Sequence, residues 1–483
     1  MGEIVSSAES EPALCVDLDG TLVRTDTLHE SLCALFRQHP PALLRAPLWL
    51  RGGKAHFKRE LGARVKLEAS LLPYNQELLE FLRSEHQRGR RLVLVTACDE
   101  GAARLVAEHL GIFSRVIASD GRCNMRGAVK RDTLEREFGA GGFDYVGNDW
   151  CDLPALKAAR IAHLAGGRRR LEEVVRREAR LGRIFPAPDF SLSAVMRMLR
   201  VHQWVKNLLL FVPLVMAHRV LNPPDLFAAM WAFAVFCICS SGVYIINDLL
   251  DLEADRRHPA KRRRPFASGE LPLALGLTCG PLLLILAGAA SAWLPPRFTQ
   301  AILLYIVTTF AYSCLLKRII LIDIVVLAGL YSLRVLAGAF ATAIPPSPWL
   351  VAFSLFMFFS LACAKRYSEL FRLRSSGFGA PAGRGYLAAD IEAVAQFGSA
   401  SGFISVLVLA LYMNGSEVQR LYEHQNLLWL LCPLLLYWVA RVWLLTHRGE
   451  LHEDPLVFAI RDKVSYVVGA LSALILLAAE GLG

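Results

Sequence analysis

The sequence predicts two structural classes in one chain: an α/β domain with a mostly parallel sheet on the N-terminal side, and an all-α polytopic membrane domain of about nine helices on the C-terminal side. Hydrophobic residues make up 54% of the 483 residues and charged residues only 20%, which excludes an ordinary soluble enzyme. The charged residues concentrate before about residue 190, and apolar runs of membrane-spanning length follow. In the first part, short apolar runs alternate with helical patterns, as in a parallel sheet whose strands are joined by helices.

Four short apolar runs predict the strands of the α/β domain. They lie at 14–18, 91–96, 116–117 and 143–146. Residues 168–190 are basic and contain prolines, which predicts a connector between the two domains. We therefore assign residues 1–167 to the α/β domain and residues 191–483 to the membrane domain.

The apolar runs of the second part predict nine membrane spans. They lie at 204–221, 226–249, 271–294, 298–316, 319–343, 347–369, 391–413, 426–446 and 464–481. Lysines and arginines concentrate in alternate loops, which predicts that these loops lie in the cytoplasm and explains most of the net charge of +10 without a nucleic-acid partner. Because the polar N-terminus does not resemble a signal peptide, we expect a multi-pass protein of the plasma (inner) membrane whose α/β domain and active sites face the cytoplasm.

Two carboxylates stand two residues apart just after the first predicted strand. Asp17 can attack phosphorus while Asp19 shuttles a proton, which is the division of labour that covalent phosphoryl transfer needs. Thr96 ends the second strand and offers a hydroxyl to a phosphate oxygen, and Lys130 can neutralise developing charge. Since ligands bind at the strand ends of open α/β sheets, these residues predict a phosphatase site.

The order of these elements resembles the haloacid dehalogenase (HAD) superfamily of phosphatases over about residues 13–165. The resemblance implies that Asp17 is the nucleophile and Asp19 the general acid/base. It also implies that Thr96 and Lys130 bind phosphate, that residues 24–88 form a small helical cap, and that the site holds one Mg²⁺. The implied Mg²⁺ ligands are Asp17, Asp19 through its carbonyl, and Asp149, with Asp152 supporting the site.

Four polar residues recur at three- and four-residue steps where the second predicted span ends. Asn247, Asp248, Asp251 and Asp255 would bring most of their side chains to one face of a helix. Three carboxylates on one face repel one another unless a cation lies among them, and Mg²⁺ prefers such oxygen ligands together with substrate phosphates. The basic run at 256–264 suits the rest of a polyanion. The motif therefore predicts a catalytic Mg²⁺ and diphosphate site at the membrane surface.

This motif and the number of spans resemble the UbiA prenyltransferase superfamily. Within it, the stretches at 202–207, 255–261 and 365–370 look like the decaprenyl-phosphate phosphoribosyltransferases, which transfer ribose 5-phosphate. The substrate-binding residues that this resemblance implies are Lys206, Asn207, Asn247, Arg256, Lys261, Lys365, Arg366 and Glu369.

Charged residues near the fifth and sixth predicted spans refine this interpretation. Aromatic prenyltransferases usually carry a second aspartate-rich motif near the sixth span, where this chain has Lys365, Arg366 and Glu369. Cations there suit a substrate with an additional phosphate better than a neutral aromatic acceptor. Asp323, inside the fifth span, is expected to face the cavity because an unpaired carboxylate in the membrane is costly.

Together the two resemblances predict a bifunctional enzyme. The membrane domain would transfer 5-phosphoribose from phosphoribosyl pyrophosphate to a polyprenyl phosphate, with one or more Mg²⁺ ions at the aspartate motif. The phosphatase domain would then remove the 5-phosphate and leave a lipid-linked ribose, a type of cell-wall precursor on which a downstream epimerase would act. The residues predict neither the polyprenyl chain length nor the oligomeric state.

Two alternatives stay open. One is a prenyltransferase that moves an isoprenoid from its diphosphate to a small aromatic acceptor, beside a phosphatase domain that acts independently. The other is a non-catalytic α/β domain that docks on the membrane enzyme or regulates it. The absent second aspartate motif argues against the first, and the presence of both Asp17 and Asp19 argues against the second.

Overall fold

The computed structural model describes residues 11–120, 123–166, 169–186, 190–375, 385–415, 418, 421–451 and 455–481. The chain divides into two compact units. The first comprises Met1–Leu199 and Ile245–Cys279, and the second comprises Arg200–Tyr244 and Gly280–Gly483. The acidic motif therefore belongs to the same compact unit as the α/β domain, whereas the sequence analysis assigned it to the membrane domain.

A parallel sheet of six strands forms the centre of the first unit, and it contains all four predicted strands. The strands are β1 (Ala13–Val16), β2 (Leu92–Asp99), β3 (Arg115–Ser119), β4 (Phe143–Gly147), β5 (Ala162–Ala165) and β6 (Leu181–Phe185). Their order is β3-β2-β1-β4-β5-β6, and all neighbours are parallel. In the register, Val16 of β1 lies opposite Leu94 of β2 and Val146 of β4. The predicted parallel α/β fold is confirmed.

Helices connect and cover these strands. They are α1 (Thr27–Gln38), α2 (Ala46–Arg51), α3 (Lys54–Gly62), α4 (Gln76–Gln87), α5 (Glu100–Leu110), α6 (Ala128–Phe138), α7 (Leu153–Ala158), α8 (Arg169–Glu178) and α9 (Leu192–Leu199). Asp26 begins α1 by accepting hydrogen bonds from the N–H groups of Leu28 and His29. Helices α1–α3 share a small apolar core that includes Leu35 and Trp49, so they form a small helical cap. The cap is shorter than the expected residues 24–88, because α4 packs its Leu78 and Leu82 into the core of the sheet.

The sequence pattern does not predict β5 and β6. β5 consists of two alanines, a histidine and a leucine, and β6 contains a glycine and an arginine, so neither is a continuous run of β-branched or aromatic residues. β6 is also an edge strand with an exposed middle. In the described part of 168–190, where a connector was predicted, the chain instead forms α8 and β6 and completes the sheet.

The C-terminal part of the chain is helical. Its helices are α10 (Val212–Met216), α11 (Pro223–Leu250), α12 (Leu252–Arg257), α13 (Leu273–Ser291), α14 (Pro296–Cys314), α15 (Ile322–Ala341), α16 (Pro348–Ser375), α17 (Ile391–Met413), α18 (Gln425–Leu428), α19 (Leu431–His447), α20 (Pro455–Arg461) and α21 (Lys463–Glu480). Among the residues that the structure describes, seven helical segments are long and apolar enough to cross a membrane; they contain α11, α13, α15, α16, α17, α19 and α21. The chain is a multi-pass membrane protein.

Two of the nine predicted spans are not among these seven. The span predicted at 298–316 is α14, a helix of 19 residues whose apolar character is interrupted by glutamine, threonines and tyrosines. The span predicted at 204–221 is broken into a 3₁₀ helix, Val201–Phe211, and the short helix α10. Pro213 lies in the first turn of α10, where its missing N–H needs no partner, whereas in the middle of a continuous helix it would clash with the preceding turn.

Small residues let the segments of the second unit approach closely. A Cβ at Gly338 of α15 would collide with the backbone of Leu210, and a Cβ at Gly398 of α17 would collide with the ring of Trp443 in α19. The Trp443 Nε1–H in turn donates to the Ser360 hydroxyl of α16 at 3.0 Å. Close backbone approach and hydrogen bonds between helices are the means by which membrane helices associate.

Candidate functional site

The strand order brings the phosphatase candidates to one edge of the sheet. The chain runs outward from β1 to β3 on one side and from β4 to β6 on the other, so the order reverses between β1 and β4. Ligands of open α/β sheets bind at such a reversal, beyond the carboxyl ends of the strands. Asp17 follows β1 there and Asp149 follows shortly after β4. The Asp17 N–H donates to the Val146 carbonyl of β4 at 3.0 Å.

Asp17 is buried at this edge between a hydroxyl and an ammonium group. The Thr21 hydroxyl donates to Asp17 Oδ2 at 3.1 Å, and Lys130 Nζ donates to Asp17 Oδ1 at 2.8 Å. Burial raises the pKa of Asp17 to about 6, and the Lys130 ammonium group limits that rise. The Asp17 carboxylate is therefore mostly ionised at neutral pH, as a nucleophile must be.

Lys130 joins Asp17 to two further side chains. Its Nζ donates to the Tyr145 hydroxyl at 2.9 Å and to Asp152 Oδ1 at 2.8 Å, and the Tyr145 hydroxyl donates to the same Asp152 oxygen at 2.9 Å. Burial alone lowers the pKa of Lys130, but the surrounding Asp17, Tyr145 and Asp152 raise it well above its ordinary value. Tyr145 is a functional residue that the sequence pattern does not reveal, because a tyrosine in a predicted strand is usually a packing residue.

Asp19 lies in a different environment although it is only two residues from Asp17. Its two oxygens accept hydrogen bonds from the Thr27 N–H at 2.8 Å and the Thr27 hydroxyl at 3.2 Å, at the start of α1. Burial and the nearby Asp26 raise the pKa of Asp19 to about 7, against the effect of the Thr27 hydrogen bonds. Two neighbouring carboxyl groups with different pKa values suit the separate roles of nucleophile and general acid/base.

The loop after β4 is held by Asp152. Its Oδ2 accepts hydrogen bonds from the N–H groups of Asn148 and Asp149 at 3.2 and 3.3 Å, while its Oδ1 binds Lys130 and Tyr145. Asp152 therefore positions the loop and the lysine, and these bonds to protein groups favour a supporting role over direct ligation of the metal. The oxygen donors that fit Mg²⁺ chemistry in this site are those of Asp17, Asp149 and the Asp19 carbonyl.

Thr96 lies behind the wall of the site. Its side chain is fully buried and its hydroxyl oxygen accepts a hydrogen bond from the Cys98 N–H at 3.1 Å. The residues of β2 that line the adjoining cavity are the next three, Ala97–Asp99. The expectation that Thr96 binds phosphate thus requires its hydroxyl to reach past these residues. The cavity, of about 1190 Å³, also contains Asp17, Asp19 and Lys130.

The acidic motif spans a break between two helices. α11 ends at Leu250, Asp251 stands at the N-terminal cap of α12, and the N–H groups of Asp251 and Asp255 donate to the carbonyls four residues earlier. Arg264, which the sequence analysis placed only in a basic run, joins two of the motif's carboxylates: its Nη1 donates to Asp248 Oδ1 at 3.0 Å and to Asp255 Oδ2 at 2.5 Å. Burial raises the pKa of Asp255, and Arg264 opposes that rise.

The chemistry of these donors fits the Mg²⁺ that the motif implies. Asp248 and Asp255 are buried oxygen donors that already share one cationic partner, and the Asn247 Oδ1 atom is buried without a hydrogen-bond partner among the described residues. Within the described part of the chain, however, no three Asp, Glu, His or Cys side chains stand close enough together to hold a metal ion. The third predicted ligand, Asp251, is therefore not gathered with the other two.

Two predicted substrate ligands from the basic run differ in exposure. The Arg256 guanidinium group is buried, where it donates to the two carboxylate oxygens of Glu30 in α1 at 3.0 and 2.6 Å and to the Ala267 carbonyl at 3.0 Å. These bonds use the Arg256 guanidinium group within the protein. They account for an arginine at this position without a contact to substrate. Lys261 is exposed.

In the second unit, two predicted residues belong to a buried polar cluster. Lys206 and Asn207 are both buried, and Asn207 Oδ1 accepts a hydrogen bond from Arg334 Nε at 3.0 Å. Arg334 also donates to the Tyr305 hydroxyl at 3.2 Å, and the Lys206 ammonium group lies 5.5 Å from the ring centre of Tyr331. This cluster places two cationic side chains inside the helical unit.

The predicted ligands at the end of the sixth span form a second polar cluster. Arg366 is fully buried; its Nη2 lies 2.5 Å from Asp323 Oδ2, and its Nη1 bonds Glu369. The Tyr386 hydroxyl donates to the other Asp323 oxygen at 2.5 Å. Asp323 therefore pairs with Arg366 instead of standing alone, and the two buried charges compensate each other. Lys365 is only half-buried.

Family models match both parts of the chain. The sequence model of the UbiA prenyltransferase family matches residues 208–461, and that of haloacid dehalogenase-like hydrolases matches residues 14–157. Members of both families generally use Mg²⁺.

Three relatives cover different parts of the chain. An uncharacterized protein, y4nM of Sinorhizobium fredii, is 37% identical over 96% of this chain and 90% of its own length. The nodulation protein NoeC of Azorhizobium caulinodans is 37% identical over 56% of this chain and 87% of its own length. The decaprenyl-phosphate phosphoribosyltransferase of Mycolicibacterium smegmatis is 35% identical over 38% of this chain and 59% of its own length. The chain belongs to the UbiA prenyltransferase family and carries a haloacid dehalogenase-like hydrolase domain before its membrane helices.

Proposed function

We propose that the chain transfers 5-phosphoribose from phosphoribosyl pyrophosphate to a polyprenyl phosphate and then removes the 5-phosphate from the product. The observation that supports this proposal most directly concerns the first compact unit. The acidic motif and the phosphatase residues Asp17, Asp19 and Lys130 all belong to it. The name of the phosphoribosyltransferase relative supports the choice of donor. Two consecutive reactions on one lipid explain why a transferase and a phosphatase share a chain.

In the transfer step, a phosphate oxygen of the polyprenyl phosphate attacks the anomeric carbon of the donor, and the bond from that carbon to pyrophosphate breaks. Asp248 and Asp255 would hold Mg²⁺, which when bound neutralises charge on the leaving pyrophosphate, and Asp251 is the third ligand that the sequence motif predicts. Arg264 keeps Asp248 and Asp255 together on the same side of the motif. Lys206, Lys261 and Lys365 are the proposed cationic ligands of the substrate phosphates.

In the second step, an Asp17 oxygen attacks the phosphorus of the ribose 5-phosphate, and the bond from phosphorus to the ribose oxygen breaks. Asp19, whose pKa is raised to about 7, donates a proton to the departing oxygen. As a carboxylate it then takes a proton from the water that attacks the aspartyl phosphate and releases inorganic phosphate. Lys130 stabilises the negative charge beside Asp17 in both halves of the reaction. Asp17, Asp149 and the Asp19 carbonyl would hold the Mg²⁺ of this site.

The test uses purified full-length protein in detergent with labelled phosphoribosyl pyrophosphate, Mg²⁺ and a polyprenyl phosphate. We expect lipid-linked ribose from the wild type and lipid-linked phosphoribose from Asp17→Asn, whereas Asp132→Asn, at an exposed carboxylate of the same domain, should match the wild type. Asp248→Asn should form no lipid-linked sugar. If the wild type forms no lipid-linked sugar, the proposal is wrong.

The family match also keeps a prenyl diphosphate as the second candidate donor. The same preparation, given a prenyl diphosphate and an aromatic acceptor in place of the two substrates above, distinguishes the candidates. Formation of a prenylated aromatic compound, together with no transfer of phosphoribose, would replace our proposal with a prenyltransferase.

A further inference from the structure

The phosphatase cavity is larger than its catalytic residues need. At about 1190 Å³, it exceeds the 300–1,000 Å³ range of most small-molecule sites. Asp17, Asp19 and Lys130 are among the residues that line it. The Arg24 Nε atom, in the wall of the same cavity, is buried and donates to no described residue. There is thus room and an unused cationic donor for a substrate with more than one phosphate group.

Three large apolar side chains that line the cavity are also exposed. They are Leu50 of the cap, Ile184 of β6 and Phe190 before α9, which we call the rim, and 54%, 40% and 69% of their respective surfaces are exposed. Exposed large apolar side chains in the wall of a polar site are unusual on a surface that meets only water. The rim therefore indicates that an apolar group lies on it.

The start of a membrane helix lines the same cavity. Pro272, Leu273 and Ala274 belong to its wall, and Leu273 is the first residue of α13, one of the seven helices that can cross a membrane. With 19 residues, α13 is about 28 Å long at about 1.5 Å per residue, which matches the hydrocarbon thickness of about 30 Å. If α13 spans the hydrocarbon core from end to end, its first residue is where the helix enters the bilayer, and that residue lies in the cavity wall.

Ion pairs hold this segment to the α/β domain within the first unit. Arg256 pairs with Glu30 in a buried position, and Arg197 of α9 pairs with Glu270, two residues before the cavity wall. The phosphatase cavity is thereby kept at the start of α13. A water-soluble substrate gains nothing from this placement, whereas a lipid reaches the cavity without leaving the membrane.

We propose that the phosphatase site acts on a membrane-anchored phosphomonoester, whose lipid chain leaves the cavity over the exposed Leu50, Phe190 and Pro272 into the bilayer. This rests on the proposed function for the sugar part of the substrate, and it adds that recognition requires the lipid. Arg24 is the donor in the wall for the phosphodiester that joins sugar and lipid. The bond cleaved is that between the phosphorus and the sugar oxygen, with water as the acceptor.

The experiment compares two synthetic substrates with full-length protein reconstituted in phospholipid nanodiscs. Both carry ribose 5-phosphate with a phosphodiester at the anomeric carbon, which ends in a farnesyl chain in one and in a methyl group in the other. We expect the kcat/KM of phosphate release to be about 100-fold higher for the farnesyl compound, which corresponds to burial of about three to four methylene groups. Because both substrates are synthetic, the assay does not depend on the transferase.

Variants then test the rim. The double change Leu50→Ser and Phe190→Ser should lower the ratio of the two kcat/KM values by about tenfold or more. The matched control is Leu105→Ser, since Leu105 is 44% exposed on α5 and lies outside the cavity; it should leave the ratio unchanged. Melting temperatures of the variants verify that they are folded.

Two outcomes in the main comparison overturn the inference: equal kcat/KM for the two substrates in the wild type, or an unchanged ratio of the two kcat/KM values in the rim variant. A decrease of this ratio in Leu105→Ser as large as that in the rim variant also overturns it. So does a change in the oligomeric mass of the rim variant, which would make the rim an interface between copies. Release of phosphate from neither substrate overturns both this inference and the phosphatase step. If the ratio behaves as expected but the wild type makes no lipid-linked sugar from phosphoribosyl pyrophosphate, the transferase proposal falls and the inference stands.

Discussion

Lys130 balances the charge of two carboxylates, Asp17 and Asp152, in a buried part of the molecule. Lys130→Met would leave both without a cationic partner, which typically costs about 3–5 kcal/mol of folding free energy. It would also raise the pKa of Asp17, so that less of the nucleophile is ionised at neutral pH. We expect phosphate release to fall at least about 100-fold and the acidic limb of its pH profile to move to higher pH. A profile that keeps its shape would contradict the role of Lys130 in setting the Asp17 pKa.

Arg264 offers a test of the acidic motif that does not depend on turnover. Because its guanidinium group lies between Asp248 and Asp255, Arg264→Gln leaves these two carboxylates to repel each other unless a metal ion is bound. The melting temperature of the variant should therefore fall further below that of the wild type in EDTA than in millimolar MgCl₂. Arg262→Gln, at an exposed arginine of the same run, is the control and should behave as the wild type does in both buffers. Equal losses in the two buffers would separate Arg264 from metal binding.

His163 makes the stability of the α/β domain depend on pH. Burial lowers its pKa to about 4, and its Nδ1 accepts a hydrogen bond from the Arg183 N–H at 2.9 Å. The unfolded chain, with a histidine pKa of about 6.5, binds more protons between these two values, so the free energy of unfolding decreases as the pH falls from about 6.5 to about 4. The decrease should amount to roughly 2–3 kcal/mol.

Hydrogen exchange of peptides from β4 to β6 in the full-length protein measures this effect. His163→Gln should reduce the pH dependence of their protection, while His39→Gln, at an exposed histidine, should not. The same pH dependence in His163→Gln and the wild type would assign the effect to other groups.

At the scale of elements, α1 and α12 are joined by two ion pairs that differ mainly in burial. The side chains of Glu30 and Arg256 are 4% and 6% exposed. Those of Arg37 and Glu253, whose Nη1 and Oε2 atoms lie 3.0 Å apart, are 39% and 25% exposed. Glu30→Gln and Arg256→Gln should each lower the free energy of unfolding by about 3 kcal/mol, and the double variant should lose little more than either one. Arg37→Gln should cost at most about 1 kcal/mol.

Denaturant unfolding of the full-length variants in detergent gives these values. Additive losses in the double variant, or a loss in Arg37→Gln as large as that in Arg256→Gln, would show that the buried pair does not couple the two helices. Phosphate release is a second readout, because Thr27, which holds Asp19, lies in the same first turn of α1 as Glu30.

The elements that the sequence predicts are those with a strong local pattern. β1 and the first four residues of β2 are continuous apolar runs, and α11 and α15 are long apolar helices, so each can be located from its own residues. β5 and β6 have no such pattern, since they are strands only because the sheet offers them a parallel neighbour. The predicted span at 204–221 is broken before α10 because of Pro213 and of local packing. A count of apolar residues detects neither.

Sites are predictable to a different extent. Asp17, Asp19 and the acidic motif can be identified from spacing, because their chemistry requires neighbouring residues. Arg256 cannot be assigned in this way, because its partner Glu30 is 226 positions away. Without knowledge of that partner, a basic residue beside an acidic motif is interpreted as a substrate ligand. The same is true of Arg366 and Asp323, which the sequence analysis considered separately.

At the scale of the whole molecule, the fusion of two enzymes predicts how the intermediate is handled. If the lipid-linked phosphoribose passes to the phosphatase of the same chain, the effective concentration of that site is fixed by the fusion and does not change when the protein is diluted. We therefore expect the wild type to form lipid-linked ribose without a lag at any protein concentration. A mixture of Asp17→Asn and Asp248→Asn chains, in separate nanodiscs, should show a lag that lengthens on dilution, because the intermediate must then move between molecules. Equal lags in the wild type and the mixture would show that the two reactions share a chain without sharing a substrate molecule.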